Sequence, residues 1–402
     1  MRIASIIAEY NPFHNGHKYQ IDKTRELLGD DTIIIAIMSG NYTQRGELAF
    51  ADKTARAKAA VLSGVNLVLE LPFPFSSSSA EIFARSGVHI ANSIGSDFLV
   101  FGSECGNTDT ISSVADILLS DSFISLVEDL RKDKKYSNLS YPKIIEAAYQ
   151  KFDNIDFDIT LPNNILALEY MKALKESKSK TIPITIKREG AGYSQKDISD
   201  GTIFQSATAI RNLIELFDDS ALNYIPFSAK KVFEEAKKEG LMPASTSKLN
   251  NVIISSLRLN TAHGIDIFDA DDGLYNRLCT LSMKTNNISS LVASAETKIH
   301  TNARIRRAIL NSFFGVTSSL VKELPAFTQV LAMDDLGCRA LKRIKKTTDF
   351  PCITKPADFT KYDEKVIMQK SISNKADSIY TLSLPGDIKG NFHLTFTPFV
   401  KK

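Results

Sequence analysis

Ten residues near the amino terminus, Ala8-Glu9-Tyr10-Asn11-Pro12-Phe13-His14-Asn15-Gly16-His17, carry the residue types and spacing that phosphate chemistry needs. Pro12 presets a turn, and Gly16 lets backbone approach a ligand closely. His14 and His17 stand three apart at the opening of an expected helix, so both rings can face one side of its first turn. Free amide N–H groups and the positive end of the helix dipole favour an anion at the same place. Imidazoles titrate near about 6.5 and can donate to a developing phosphorane charge without an obligatory full charge. A histidine at a helix start is often only a cap or a surface group. What favours the chemical reading is the position of this pair, directly after an apolar strand and before an amphipathic helix. A metal site fits less well, because no third ligand at suitable spacing accompanies the pair.

A second segment, Ser206-Ala207-Thr208-Ala209-Ile210-Arg211, follows a loop and opens another amphipathic helix. Ser206 and Thr208 can donate to phosphate oxygens, and Arg211, roughly one turn on, can reach the same anion. Read alone, Ser206 is equally an ordinary N-cap and Arg211 a solvated helix residue.

Positioning these groups requires a scaffold, and the pattern from residue 3 to about 103 describes one. Apolar β-rich runs at 3–8, 32–39, 66–71 and 98–103 alternate with helix-like segments near 15–28, 52–63 and 79–94. Continuously apolar strands separated by helices imply a parallel sheet covered on both faces. Right-handed crossovers then bring every strand-to-helix loop to one end of the sheet, where doubly wound folds bind ligands. A helical stretch from about 111 to 175, a strand at 181–187, a glycine-containing loop and the helix near Ser206 follow. Beyond about 230 the pattern is chiefly helical, at 247–258, 274–283, 288–297 and 303–314, up to a β-leaning tail after 350. Pro226, Gly240, Pro243 and Ser245-Thr246-Ser247 mark a boundary near 225–245.

With 402 residues, 43% hydrophobic and 24% charged, the chain can bury a full core in two or three domains. Its amino terminus has a short apolar run broken by Glu9, unlike a cleavable signal, and a cytoplasmic location is expected. Cys105, Cys279, Cys338 and Cys352 lack CxxC spacing, so neither a zinc site nor a disulfide framework is indicated. Residues 251–402 hold 21 Lys and Arg against 14 Asp and Glu, a net +7, which leaves −4 on residues 1–250. Such asymmetry hints that the carboxyl-terminal part meets a polyanion, or is simply uneven surface charge.

The HNGH segment (14–17) together with the SATAIR helix start (206–211) resembles the nucleotidylyltransferase superfamily, in which the two motifs jointly hold ATP phosphates. The likeness extends in order through IIAEYNPFHNGH (6–17), MSGNYTQRGE (38–47), ELPF (70–73), FGSE (101–104), LPNNILALEY (161–170), KREGAGY (187–193), SATAIR and ARIRR (303–307). Together these resemble the tRNA(Met) cytidine acetate ligase family, bacterial enzymes that make N4-acetylcytidine at a tRNA wobble position. Ser194, where the family often has histidine, and Gln205, where alanine is commoner, are departures.

The resemblance implies a doubly wound Rossmann-like α/β domain over residues 1–230 that binds ATP, and a mainly helical, basic domain over 231–402 for tRNA. It implies that acetate attacks the α-phosphate of ATP, expelling pyrophosphate, and that the acetyl group then passes to the cytidine amine. His17 would act at the α-phosphate, with His14 and Arg211 on the departing phosphates; Lys23 is a further candidate that reads equally as a surface lysine. ATP would lie against Ile7, Ala8, Glu9, Tyr10, Asn11, Pro12, Phe13, His14, Asn15, Gly16, His17, Lys18, Tyr19 and Gln20, with Gly102, Asn163, Arg188, Ser206 and Thr208. Ser39-Gly40-Asn41-Tyr42 ends the second strand and is one place for acetate, which no residue pattern fixes. Magnesium is expected with the triphosphate, without a dedicated carboxylate cage. For tRNA, Lys298, His300, Arg304, Arg306 and Arg307 form the leading cluster and Lys342, Arg343, Lys345 and Lys346 a second. Two rivals stand beside this reading: a small-molecule adenylyl- or cytidylyltransferase of the same fold, and a non-catalytic RNA-binding relative.

Overall fold

Five apolar segments pair in parallel: β1 (Ile3–Ala8), β2 (Ile33–Ser39), β3 (Leu67–Leu71), β4 (Phe98–Ser103) and β5 (Ile182–Lys187). The computed structural model describes residues 1–136, 138–152, 156–188, 205–215, 219–271 and 273–402. The loop Gly190-Ala191-Gly192, with Tyr193 and Ser194, lies outside the described residues. Every residue of β2 and β3 is buried, as sheet strands covered on both faces must be.

The covering helices are α1 (Asn15–Leu28), α2 (Lys53–Leu62), α3 (Ala80–Ser93), α4 (Thr108–Leu119), α5 (Asp121–Lys132), α6 (Tyr141–Tyr149), α7 (Pro162–Glu176) and α8 (Ala207–Glu215). Beyond them come α9 (Phe227–Lys238), α10 (Asn250–Arg258), α11 (Leu274–Ser282), α12 (Ile288–Ala295), α13 (Asn302–Phe314) and α14 (Ser318–Lys322). The chain then adds β6 (Thr328–Met333), α15 (Asp335–Thr347), β7 (Cys352–Ile353), α16 (Glu364–Thr381), α17 (Phe392–Thr395) and β8 (Phe399–Val400).

The sheet runs β5-β4-β1-β2-β3-β6-β7, with β8 also on β6, and β6 lies antiparallel to β3. The chain therefore starts in the middle, winds outward through β2 and β3, and crosses back to place β4 and β5 on the other flank. Between β1 and β4 the winding reverses, and a crevice opens there at the carboxyl ends of the strands. Helix α3 lies tight on β1: a Cβ on Gly87 would sit 2.6 Å from Ile7 Cδ1.

Three strands of the mainly helical half thus join the sheet of the first half. One core runs across residue 230, combining Ala4, Ile6 and Val68 with Leu274, Ile305 and Tyr380. The tail after 350 is helical over α16, where a β-leaning segment was expected. The buried face of α16 is Val366, Gln369, Lys370, Ser373, Ala376, Asp377, Tyr380 and Thr381, helical in spacing but largely polar, so it leaves no apolar period to read. No described helix is long and apolar enough to cross a membrane. The bent pair α4 and α5, at 59°, turns Ile111, Val114, Phe123 and Val127 into the core.

Candidate active site

The imidazole pair builds its own helix cap. His14 is the N-cap of α1, and its Nδ1 accepts from the Gly16 amide at 3.1 Å, while the His14 amide donates to His17 Nδ1 at 3.2 Å. Two orphan amides are thereby satisfied reciprocally, with histidines in place of the usual Ser and Glu. Because both Nδ1 atoms accept, the neutral rings carry their proton on Nε2, which leaves two N–H donors on rings that line a cleft. The rings stack at 3.7 Å between centroids, 24° apart in plane, with Tyr10 edge-on to His17 at 4.8 Å. A Cβ on Gly16 would lie 3.0 Å from His14 Cε1, so a side chain there would displace the ring.

Burial, with Arg188 and Arg211 behind it, pulls the His14 ring down to about 3, and burial, His14 and Arg188 hold His17 well below the usual range. Tyr10, between strand and motif, takes a left-handed backbone (φ 47°), strain of the kind that collects at functional sites.

The second helix start closes on the first. Ser206 Oγ accepts from the Ala209 amide at 3.1 Å, capping α8. Arg211 Nη1 donates to the Asn11 carbonyl at 2.8 Å and its Nη2 to Thr208 Oγ1 at 3.2 Å, which ties the two motifs together. On the β4 flank, Arg188 Nη1 donates to Asn163 Oδ1 at 2.9 Å and Asn163 Nδ2 to Glu104 Oε1 at 2.6 Å. Glu104 is fixed in turn by the Asn164 amide on Oε2 at 2.7 Å. A Cβ on Gly102 would meet Arg188 Cγ at 3.4 Å, an ordinary contact, which places Gly102 directly against that arginine.

The cleft beside these groups measures about 210 Å³. Of the residues expected to bind ATP, Ile7, Ala8, Glu9, Tyr10, Asn11, His14, Gly16, His17, Tyr19, Gln20, Gly102, Asn163, Arg188 and Ser206 line it. Pro12 and Phe13 are buried beneath the turn. Asn15 donates to the Asn223 carbonyl, Lys18 pairs with Asp22, and Thr208 Oγ1 accepts from Arg211; neither Thr208 nor Arg211 is among the cleft-lining residues. Lys23 pairs with Glu26 at 2.7 Å and is not among the cleft-lining residues, a position that fits a surface lysine. Gln44, Phe83, Phe101, Leu166, Tyr170, Ile186, Lys187, Gln205 and Ala207 complete the wall and are not among the expected site residues. Phe101, Gln44, Leu166 and Tyr170 stand inside the recognised motifs, whereas Phe83 reads as plain helix core.

Ser39, Asn41 and Tyr42 are buried; Ser39 Oγ has no hydrogen-bond partner among the described residues, while the other two are bound to α16. Asn41 Nδ2 donates to Asp377 Oδ1 at 3.0 Å, and Tyr42 donates to the Ala376 carbonyl at 2.9 Å. The loop that follows, Tyr42 to Leu48, is closed by a bridge between those two residues and turns at Gly46 (φ 73°). A Cβ on Gly46 would sit 2.7 Å from the Arg307 amide nitrogen, so the loop presses on α13 while Gln44 faces the cleft.

The basic cluster on α13 is largely neutralised. Arg304 pairs with Asp271, Arg306 with Glu47 at 3.0 Å, and Arg307 with Asp269 at 2.6 Å. Arg307 is 8% exposed and His300 is 7% exposed, so their place is inside the helical bundle, while Lys298 is exposed. The second run lies elsewhere: Arg343 donates to the Met1 carbonyl, which puts Lys342, Lys345 and Lys346 at the amino edge of the sheet, opposite the cleft.

A family model described as HIGH Nucleotidyl Transferase matches residues 1–391. A tRNA(Met) cytidine acetate ligase from Caldanaerobacter subterraneus subsp. tengcongensis is 37% identical over 395 residues, 95% of this chain and 96% of that protein. One from Acetivibrio thermocellus is 35% identical over 386 residues, 92% of each. Among solved structures, apo TmcAL of Thermotoga maritima superposes with a TM-score of 0.91 at 28% identity, covering 100% of this chain and 99% of that one. The same protein bound with alpha-thio ATP superposes at 0.90, with the same identity and coverage. The chain belongs to the tRNA(Met) cytidine acetate ligase family, within the HIGH nucleotidyl transferases.

Proposed function

We propose that this protein activates acetate with ATP, forming acetyl-adenylate and pyrophosphate, and passes the acetyl group to N4 of the wobble cytidine of elongator tRNA(Met). The observation that carries this reading is the neutral, mutually capped histidine pair facing one cleft with the Ser206–Arg211 helix start at its side. In-line displacement at phosphorus needs positioned donors and charge neutralisation, and no protein nucleophile. His17 meets the α-phosphate; His14, Ser206, Thr208 and Arg211 take the departing phosphates. Gly102, Asn163 and Arg188 hold the nucleoside end. Lys23 has at most a supporting part, through α1.

Among the described cleft-lining residues Glu9 is the single carboxylate, which does not fit a protein cage for magnesium. Magnesium would enter on the triphosphate, and no step is assigned to it. Residues 1–230 supply the ATP site and 231–402 the tRNA surface. Within the latter, exposed Lys298 and the half-exposed Arg306 are the best placed, because Arg306 abuts the loop whose Gln44 lines the cleft. Acting on tRNA places the enzyme in the cytoplasm.

Incubating the protein with radiolabelled acetate and ATP, with and without bulk tRNA, tests the reading. Label on cytidine only when ATP is present is the expected outcome. Pyrophosphate exchange supported by a cofactor precursor instead of acetate would decide for a small-molecule transferase, and tRNA binding without either reaction for a non-catalytic relative.

A further inference from the structure

We propose that Glu9 receives the exocyclic amine of the target cytidine and takes its proton as the acetyl group is transferred, an assignment that rests on the acetate-ligase reading above. Glu9 is the one acidic side chain among the described residues lining the cleft. A carboxylate beside a triphosphate is electrostatically unfavourable, so its presence there calls for a ligand group that donates. It lies between the phosphate side of the cleft, from which Arg211 acts on it, and the apolar side. Tyr10 packs on Phe13 and His17, whereas Ile7, two residues before Glu9, packs on α3 at Gly87, and Tyr170 of α7 lies within electrostatic reach of Glu9.

The surroundings fit a base. Phe83, Phe101, Leu166 and Tyr170 give the inner cleft an apolar, aromatic wall of the kind on which extruded bases rest. A carboxylate at the rim of such a slot accepts from the N4 amine of cytosine and repels the carbonyl that uracil carries at that position. One oxygen is already oriented: the Gln44 amide donates to Glu9 Oε1 at 2.8 Å, and among the described residues Oε2 makes no hydrogen bond. Groups facing the carboxylate are Gln44 and Glu47 from the loop after β2, Arg56 from α2, Tyr170 from α7 and Arg211 from α8. Burial outweighs the cations and the amide and holds the Glu9 carboxyl above the ordinary carboxylate range, which makes it a better base.

In the transfer step the N4 lone pair attacks the acetyl carbonyl carbon and a C–N bond forms. The bond from that carbon to the phosphate oxygen breaks, and AMP leaves with the electron pair. The N4 proton passes to Glu9 Oε2, and from there to solvent.

Glu9→Gln keeps an acceptor for the Gln44 amide and cannot take the proton; Glu9→Asp keeps the base and shortens its reach. Both variants and the wild type are assayed for acetate-dependent ATP/pyrophosphate exchange, and in single turnover for acetyl transfer from acetyl-adenylate to bulk tRNA across pH 5 to 9. In Glu9→Gln, transfer falls about 100-fold, at least ten times further than exchange, and the acidic limb of its pH profile disappears; Glu9→Asp recovers part of the rate and the limb. Equal losses in exchange and transfer, or a wild-type transfer profile in Glu9→Gln, overturn the assignment. Absence of acetate-dependent exchange in the wild type overturns the acetate-ligase reading itself, and this assignment with it.

Discussion

Each histidine of the pair is held by one nitrogen and offers the other, so the two rings are donors before any nucleotide arrives. Preorganisation of that kind is where transition-state stabilisation is largest, because nothing reorients as charge develops. Replacing His17 by Ala is expected to raise the barrier of acetate-dependent pyrophosphate exchange by about 3 kcal/mol, roughly 100-fold in rate at saturating ATP. The same burial that keeps the rings neutral ties stability to pH. His14 titrates at about 3 in the folded chain against an ordinary 6.5, so the unfolded chain binds more protons between those values. Stability is therefore full above about 6.5 and is lost as pH falls toward 3, by up to about 1.4 kcal/mol per pH unit for this ring. Urea titrations from pH 4.5 to 7.5 on the wild type and on His14→Asn check this. The variant is expected to show the shallower fall, and parallel curves would refute the assignment.

Two helix starts, α1 and α8, form the site, and a third helix, α13, meets it through the loop between Tyr42 and Leu48. Along α13 the arginines divide by environment. Arg307 is buried against Asp269, and Arg307→Ala leaves that carboxylate without its partner, at an expected cost of about 3 kcal/mol in unfolding free energy. Arg306 pairs with Glu47 at the surface, where an ion pair contributes less than about 1 kcal/mol. Arg306→Ala is expected to leave stability nearly unchanged and to lower the salt slope of tRNA binding by about 1, read from affinity at several salt concentrations. An unaltered slope in Arg306→Ala would remove α13 from the RNA surface.

At the scale of the molecule the carboxyl-terminal region closes the fold. Lys53 is fully buried between Glu70 at 2.7 Å and Asp377 at 2.6 Å, and Asp377 comes from α16. His393 of α17 pairs with Asp52 at 2.7 Å and with Asn41 at 3.2 Å, so the carboxyl-terminal helices meet the segment that follows β2. Removing one member of such a cluster leaves an uncompensated buried charge. Asp377→Ala is expected to cost about 3 to 5 kcal/mol, and because one core spans residue 230, denaturant should still unfold the variant in a single transition. Two separated transitions would show that the two halves are independent folding units.

Contiguous residues determined the parallel strands, the crossover helices, and the turn that presents His14 and His17. Apolar runs, a proline, a glycine and a cap act over a few positions, so their consequences are written locally. The Ser206–Arg211 helix start was legible for the same reason. Its contact with Asn11 was not, since it joins residues 200 positions apart. The pairing of β6 with β3 joins positions still further apart, the Thr328 hydroxyl donating to the Glu70 carbonyl. Helix α16 hides its inward face behind Gln369, Lys370 and Asp377, polar residues buried only because partners from distant segments satisfy them. Tertiary structure alone also decided which arginines of α13 were already neutralised, and that a helix-core phenylalanine, Phe83, walls the cleft. Charge satisfaction and enclosure belong to groups that meet in space, and no spacing along the chain encodes which groups will meet.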